Sequence, residues 1–149
     1  MASQFGFLES EFGDVFEMAR WAEDHALTDP GPAVLYARKA LETAVKWVFA
    51  HDRSMVRPYD DKLNSFLNEP GYKALAGGHV HKVSKKIQIA GNKAAHEAKA
   101  PSKLDAVDVV SALFQFSYWL AFTYGRESKP EAGVRFDPYK LRKAGTDTQ

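Results

Sequence analysis

The sequence predicts an all-α fold: a bundle of four principal helices with one short helix beside them. Two patterns predict it. Long stretches repeat apolar residues at the three-and-four spacing of a buried helical stripe, and helix-start and helix-stop residues punctuate them. A third observation is negative, since no stretch sustains the period-two alternation of a strand. The length of 149 residues suits one domain able to bury a sizeable core, and 45% apolar residues with 13% aromatics argue for a packed globule.

The elements follow in chain order. Met1 to Leu8 contains Phe5-Gly6-Phe7-Leu8 and is expected as an extended arm pinned to the body by Phe5 and Phe7. A first helix is expected over 10–27, with Asp14 as a cap and Phe12, Val15, Phe16, Ala19, Ala22 and Ala26 as its stripe; Trp21 lies off it. Asp29-Pro30 opens a second helix over 30–49, the Asp side chain capping and Pro at the first helical position. Its stripe is Val34, Ala37, Leu41, Val45 and Val48, flanked by the four-apart pair Arg38 and Glu42.

His51 to Tyr59 reads as a loop, followed by a short helix near 60–68. Pro70-Gly71 and Gly77-Gly78 interrupt before a central helix over 79–96. That helix has Val80, Val83, Ile87, Ala90 and Ala94 on one face and Ile89, Asn92 and His96 on another, which predicts an inner position. Ser102-Lys103-Leu104-Asp105 is a capping-box variant opening the last helix, 102–124, with Gly125 as its C′ residue. Six aromatics from Phe114 to Tyr124 exceed one stripe, so they are expected to serve the core plus an interface with another domain or a second copy. The helical domain is thus read as 1–125, and 126–149 as a linker without a fold of its own, closing on Gly-Thr-Asp-Thr-Gln.

The absence of cysteine excludes disulfides and thiolate-bound metals and suits a reducing cytoplasm. No apolar run approaches the roughly 20 residues of a membrane span, and no basic-then-apolar leader opens the chain. Net charge is only +1. Its distribution is uneven, acidic from Glu9 to Asp29 and basic from His79 to Lys99. Lys82, Lys85, Lys86 and Lys93 of that basic stretch are candidates for phosphate contacts on a DNA backbone.

Catalytic signatures are sparse. His79-Val80-His81 would pair on a metal only in a strand, because helical positions two apart diverge. There is no HExxH, no G-x-S-x-G, no P-loop and no dinucleotide fingerprint, so neither metal nor cofactor is expected.

The most informative stretch is Ile87-Gln88-Ile89-Ala90-Gly91-Asn92-Lys93-Ala94-Ala95-His96-Glu97. Gly within a helix costs about 1 kcal/mol against Ala, so Gly91 is expected at a helix crossing where a passing backbone excludes a Cβ. Arg38, Glu42, Asn92 and His96 are expected to form a buried polar clamp between the second and central helices, Asn92 and His96 sharing one helix face.

Phe5-x-Phe7-Leu8, Ala22-Glu23, Asp29-Pro30, Arg38-x-x-x-Glu42 and Gly91-Asn92-x-Ala94-x-His96-Glu97 occur in that order. In this arrangement the chain resembles the all-α N-terminal domain of the R (restriction and translocation) subunit of type I restriction enzymes, a module also found in other bacterial proteins. The resemblance runs from about Gln4 to Tyr124. It implies a non-catalytic module supporting complex assembly or DNA engagement. Its partners would be the nuclease and helicase-like translocase domains of such a subunit, or other subunits of the complex. More distantly the chain resembles the HEPN helical superfamily, some members of which cut RNA with an Arg-x(4–6)-His motif. The sequence departs from that motif. Gln88, eight residues before His96, stands near the place of the arginine and supplies no guanidinium.

Overall fold

Four alanines explain how the bundle assembles. Ala33, Ala37, Ala40 and Ala44 are completely buried along α2 (Pro30–His51), and side chains this small let other helices approach on more than one side. Helix α2 therefore packs against α1 (Gly13–His25), α3 (Leu63–Leu67), α4 (Pro70–His96) and α5 (Lys103–Tyr124). This computed structural model describes residues 2–97, 99–127 and 129–143, and all its regular elements among them are helical.

Contacts set the directions. Trp21 stacks on Tyr36 and Phe12 meets Trp47, so α1 runs antiparallel to α2. Arg38 meets Asn92 while Phe49 meets Tyr72, so α4 is antiparallel to α2 as well. Pro101 lies beside Gly31 and Tyr124 beside Trp47, which makes α5 parallel to α2.

The expected stripes of α1 and α2 are buried throughout. The inner helix, however, is α2 rather than the central one. The second face of α4 is open, with Ile89 52% exposed and Asn92 and His96 at the surface. On its buried side Ser84, Gln88 and Gly91 sit deeper than Ala90 and Ala94. Burial of Ser84 and Gln88 is tolerated because both are bonded, Ser84 Oγ to the Val80 carbonyl (2.7 Å) and Gln88 Nε2 to Asn64 Oδ1 (3.0 Å).

The capping expectations divide. Ser102 and Asp105 form the reciprocal box at the start of α5, at 3.0 and 3.2 Å. Asp29 occupies the N-cap of α2, yet its carboxylate accepts from the Thr28 hydroxyl (3.2 Å) and caps nothing. A capping side chain accepts from the second or third helical N–H; Pro32 at the third position has none, and the Asp29 carboxylate makes no bond to the Gly31 N–H at the second. Asp14 is likewise no cap. Phe12 holds that position, and Asp14 lies in the first turn, where a negative charge suits the helix dipole. Gly125 ends α5 in an extended conformation, φ −68°, rather than a left-handed one.

Helix α4 begins at Pro70 and bends at Gly77, whose φ of 79° and ψ of 171° belong to glycine. The Tyr72 hydroxyl donates to Ser84 Oγ across the bend (2.8 Å), both side chains fully buried, and burial pushes the Tyr72 pKa upward. His81 Nε2 meets the Leu67 carbonyl at 3.0 Å, fastening α3 to the segment after the bend.

Both flanking segments differ from expectation. The N-terminal arm is a 3-10 turn, Gly6–Leu8, with Phe5 and Phe7 edge-on to Phe114. The segment after Arg126, expected as a linker, packs on the body: Leu141 is buried and Phe136 tilts against Phe114. Gln4 Nε2 donates to the Asp137 carbonyl (2.9 Å) and Asp137 N–H donates to Gln4 Oε1 (2.8 Å). Two isolated apolar residues make no periodicity, so pattern alone could not reveal this. Met1 and the Gly-Thr-Asp-Thr-Gln end lie outside the described residues.

Helix α5 is long and apolar enough, by length and composition alone, to cross a membrane, although Ser111, Gln115 and Ser117 interrupt its apolar run. More than half of that stretch, 56%, is buried inside the bundle, the position of a core helix. Of its aromatics, Phe114 and Phe116 are core, Trp119 and Tyr124 half-buried, and Tyr118 stacks on the exposed Phe122.

Candidate functional site: the groove between α2 and α4

The residues singled out on α2 and on the C-terminal half of α4 meet at one groove of about 420 Å³. Its walls include Leu35, Arg38, Lys39, Glu42, Asn92 and His96, with Gly91 at its base. Gly91 is buried, and a Cβ placed there would stand 2.4, 2.6 and 2.9 Å from Cδ, Cβ and Cγ of Arg38. The occupant of the space is thus the aliphatic stem of Arg38 rather than the passing backbone expected, although its Cβ rides directly on α2.

With its stem laid over Gly91, the Arg38 guanidinium is held at two corners. Nε donates to Asn92 Oδ1 (3.0 Å) and Nη1 to Glu42 Oε1 (3.1 Å). The other oxygen of Glu42 accepts from Lys46 Nζ (2.8 Å), which also reaches Asp61 Oδ2 (3.2 Å). Arg57 stands 3.6 Å from the second oxygen of Asp61. The result is a strap of alternating charge along α2 that ties α4 at one end and the 52–62 loop at the other.

Burial was expected for this set and is only partial. Arg38 and Glu42 side chains are each 29% exposed, and Asn92 and His96 lie at the surface. His96 lines the groove, but no hydrogen bond joins it to the other three. The cause is its place in the last turn of α4, where the chain leaves the bundle at Glu97. Two groove residues escaped the sequence reading, Leu35 and Lys39, both exposed. Leu35 stands three residues before Arg38, a spacing that puts it on the same helix face.

The four lysines do not make one free basic face. Lys85 Nζ donates to Asn64 Oδ1 (2.9 Å) on the α3 side, and Lys86 pairs with Asp108 of α5 at 3.3 Å. Lys82 and Lys93 are exposed. A cleft of about 620 Å³ lies on the α5 side of α4; its floor is Val34, Ala90, Ala94 and Val109, and acidic Glu97, Asp105 and Asp108 offset its lysines.

His79 and His81 diverge as helical geometry requires, His79 to Gln115 Oε1 (2.6 Å) and His81 to the Leu67 carbonyl. No group of metal-ligating side chains occurs among the described residues. Gln88, at the place near which an RNA-cutting motif would need arginine, is buried and turned toward Asn64.

Two further carboxylates matter. Glu23 is buried and accepts from Ser3 Oγ and from Gln4 N–H (2.9 Å), which ties the N-terminal arm to α1. Burial raises its pKa, against the lowering effect of those two bonds. Asp52 follows α2 and accepts from Ser54 and from the Tyr124 hydroxyl; the Ser54 bond, then the Tyr124 bond, lower its pKa.

The molecule is an all-α domain, with five α-helices among the described residues and a polar, half-open groove between the second and fourth. It belongs to the family described as domain of unknown function DUF4145, whose profile it matches over residues 22–134. That span takes in α2, α4, α5 and every residue of the groove. No curated protein and no solved structure matches the chain.

Proposed function

We propose that this chain is the non-catalytic N-terminal helical module of a type I restriction R subunit, or a stand-alone relative of it, acting in the bacterial cytoplasm. Its work is to dock other parts of the complex at the α2–α4 groove. One observation supports the reading: Gly91, Asn92 and His96 of the segment most specific to the resemblance line the same groove as Arg38 and Glu42 of another of its segments, which lies far away in the chain. The bundle does not use the whole of that groove. Leu35 is 39% exposed and His96 is exposed without a hydrogen bond, so both remain available to a partner.

The test is retention of the purified nuclease–translocase portion of a type I R subunit, or of the other complex subunits, on immobilised chain. Retention is expected, and Leu35→Asp is expected to weaken it without changing the melting temperature. Absence of retention of any of these proteins would overturn the proposal. Metal-independent RNA cleavage abolished by His96→Ala would replace it with a ribonuclease.

A second reading rests on the two exposed lysines of α4, Lys82 and Lys93, and gives the module non-specific contact with a DNA backbone. Binding to duplex DNA would then be no tighter than about 10⁻⁴–10⁻⁶ M and would fall steeply with salt, because each neutralised phosphate releases counterions. Reversal of Lys82 and Lys93 to Glu would lower the salt slope. No binding at low salt would remove this reading and leave docking alone.

A further inference from the structure

The groove also carries information about the chemistry of what docks there. Arg38 is unusually well prepared for an oxyanion. Gly91 seats its stem, Asn92 fixes Nε and Glu42 fixes Nη1, while Nη2 keeps its hydrogens without an acceptor among the described residues. A guanidinium held in this way has already lost the rotamer freedom that binding would otherwise remove. Glu42 does not oppose a ligand strongly, because its oxygens are shared between Arg38 and Lys46. Lys39 stands exposed at the rim, and with Arg38 and Glu42 it leaves the groove one net positive charge. Leu35 and Ala95 supply an apolar wall beside this charge.

We propose that the groove is a carboxylate-binding subsite that receives an acidic residue, flanked by an apolar one, on a partner polypeptide. This rests on the docking function proposed above and names the partner's chemistry. Charge layout separates it from a phosphate backbone. Nucleic acid presents a row of like charges, whereas the strap leading from the groove alternates Glu42, Lys46, Asp61 and Arg57, which would attract and repel such a row in turn. A single carboxylate matches a single net charge, and the apolar wall matches a peptide neighbour.

The experiment is a heteronuclear NMR titration of the 149-residue chain with blocked dipeptides. Acetyl-Leu-Glu-amide presents a side-chain carboxylate, acetyl-Leu-Leu with a free C-terminus presents a main-chain one, and acetyl-Leu-Gln-amide is the neutral control. A thymidine dinucleotide presents the phosphodiester. Saturable shifts are expected at Arg38 Nε–H, the Asn92 side-chain amide and the Leu35 methyls with acetyl-Leu-Glu-amide. Acetyl-Leu-Leu and the Gln control should each bind several-fold more weakly than acetyl-Leu-Glu-amide, and tighter binding of acetyl-Leu-Leu would overturn the acidic-residue assignment. Lys39→Glu, at an exposed position, should weaken carboxylate binding while leaving the melting temperature unchanged. Equal shifts from the Glu and Gln peptides, shifts confined to other parts of the surface, or tighter binding of the dinucleotide would each overturn the assignment. Failure here alongside intact retention of restriction-enzyme partners would refute the carboxylate chemistry and spare the docking function.

Discussion

Replacing Gly91 by alanine puts the most weight on a single contact. The added methyl would lie 2.4 Å from Arg38 Cδ, 2.6 Å from its Cβ and 2.9 Å from its Cγ. Cδ and Cγ can swing away, at the expense of the 3.0 Å bond to Asn92 and the 3.1 Å bond to Glu42. Arg38 Cβ cannot swing, because it is fixed to the α2 backbone, so α2 and α4 must separate or slide. Overpacking of this kind costs about 1–3 kcal/mol, and a disrupted hydrogen bond adds about 1 kcal/mol. The better helix propensity of alanine offsets about 1 kcal/mol. The net expectation is a loss of about 1–3 kcal/mol by urea unfolding followed by circular dichroism. A double-mutant cycle sharpens it. In an Arg38→Ala background two of the three clashes are gone, and Gly91→Ala should do visibly less harm. If Gly91→Ala is as stable as the parent, or equally harmful in both backgrounds, Arg38 is not the reason for a glycine at this site.

Three other predictions test the framework around the groove. Gly77→Ala should cost about 1–3 kcal/mol, because alanine is strained at φ 79°, whereas Gly78→Ala meets open space and should gain up to about 1 kcal/mol; equal melting temperatures for the two variants would contradict the bend. Tyr72→Phe should cost only about 0.5–1.5 kcal/mol, since Ser84 keeps its bond to Val80, while Ser84→Ala strands a buried phenol and should cost about 1–3 kcal/mol; the reverse order in thermal melts would refute the bonding pattern. The raised pKa of Glu23 has a definite sign. Its stabilising contribution is complete below the ordinary carboxylate range and is lost as pH rises through the raised value, so Glu23→Gln should flatten that part of the stability profile, and unchanged profiles would show that Glu23 is not buried in solution.

Much of this architecture was legible because it rests on local signals. The stripes of α1 and α2 report burial directly, and Ser102 with Asp105 is a cap written in four consecutive residues. Gly91 stood out because a glycine in mid-helix is costly unless something occupies the place of its Cβ, and Arg38 does. What escaped depends on partners distant in sequence. Asp29 has the residue type and place of a cap, but Pro32 removes one of its two targets and its carboxylate bonds Thr28 instead, while Asn64 and Asp108 engage Lys85 and Lys86 from other helices. Flanking an apolar stripe implies burial for the polar set, but the end of α4 leaves the bundle there and opens the groove. Glu23 was visible only as part of a short motif, and nothing local distinguished a buried carboxylate from the exposed acids around it.

The exchange of hydrogen bonds between Gln4 and Asp137 joins positions 133 residues apart. Mechanically it is a clasp: the arm and the closing segment lie side by side, both against the ring of Phe114. Tension applied at the two ends loads this clasp before it loads any helix, so the first event under force is its opening. The same adjacency makes the fold nearly circular, and a short bridge from the closing segment back to the arm could carry the chain round. New ends cut into the exposed stretch near Val56 and Tyr59 would leave the five helices and the groove in their present order in space.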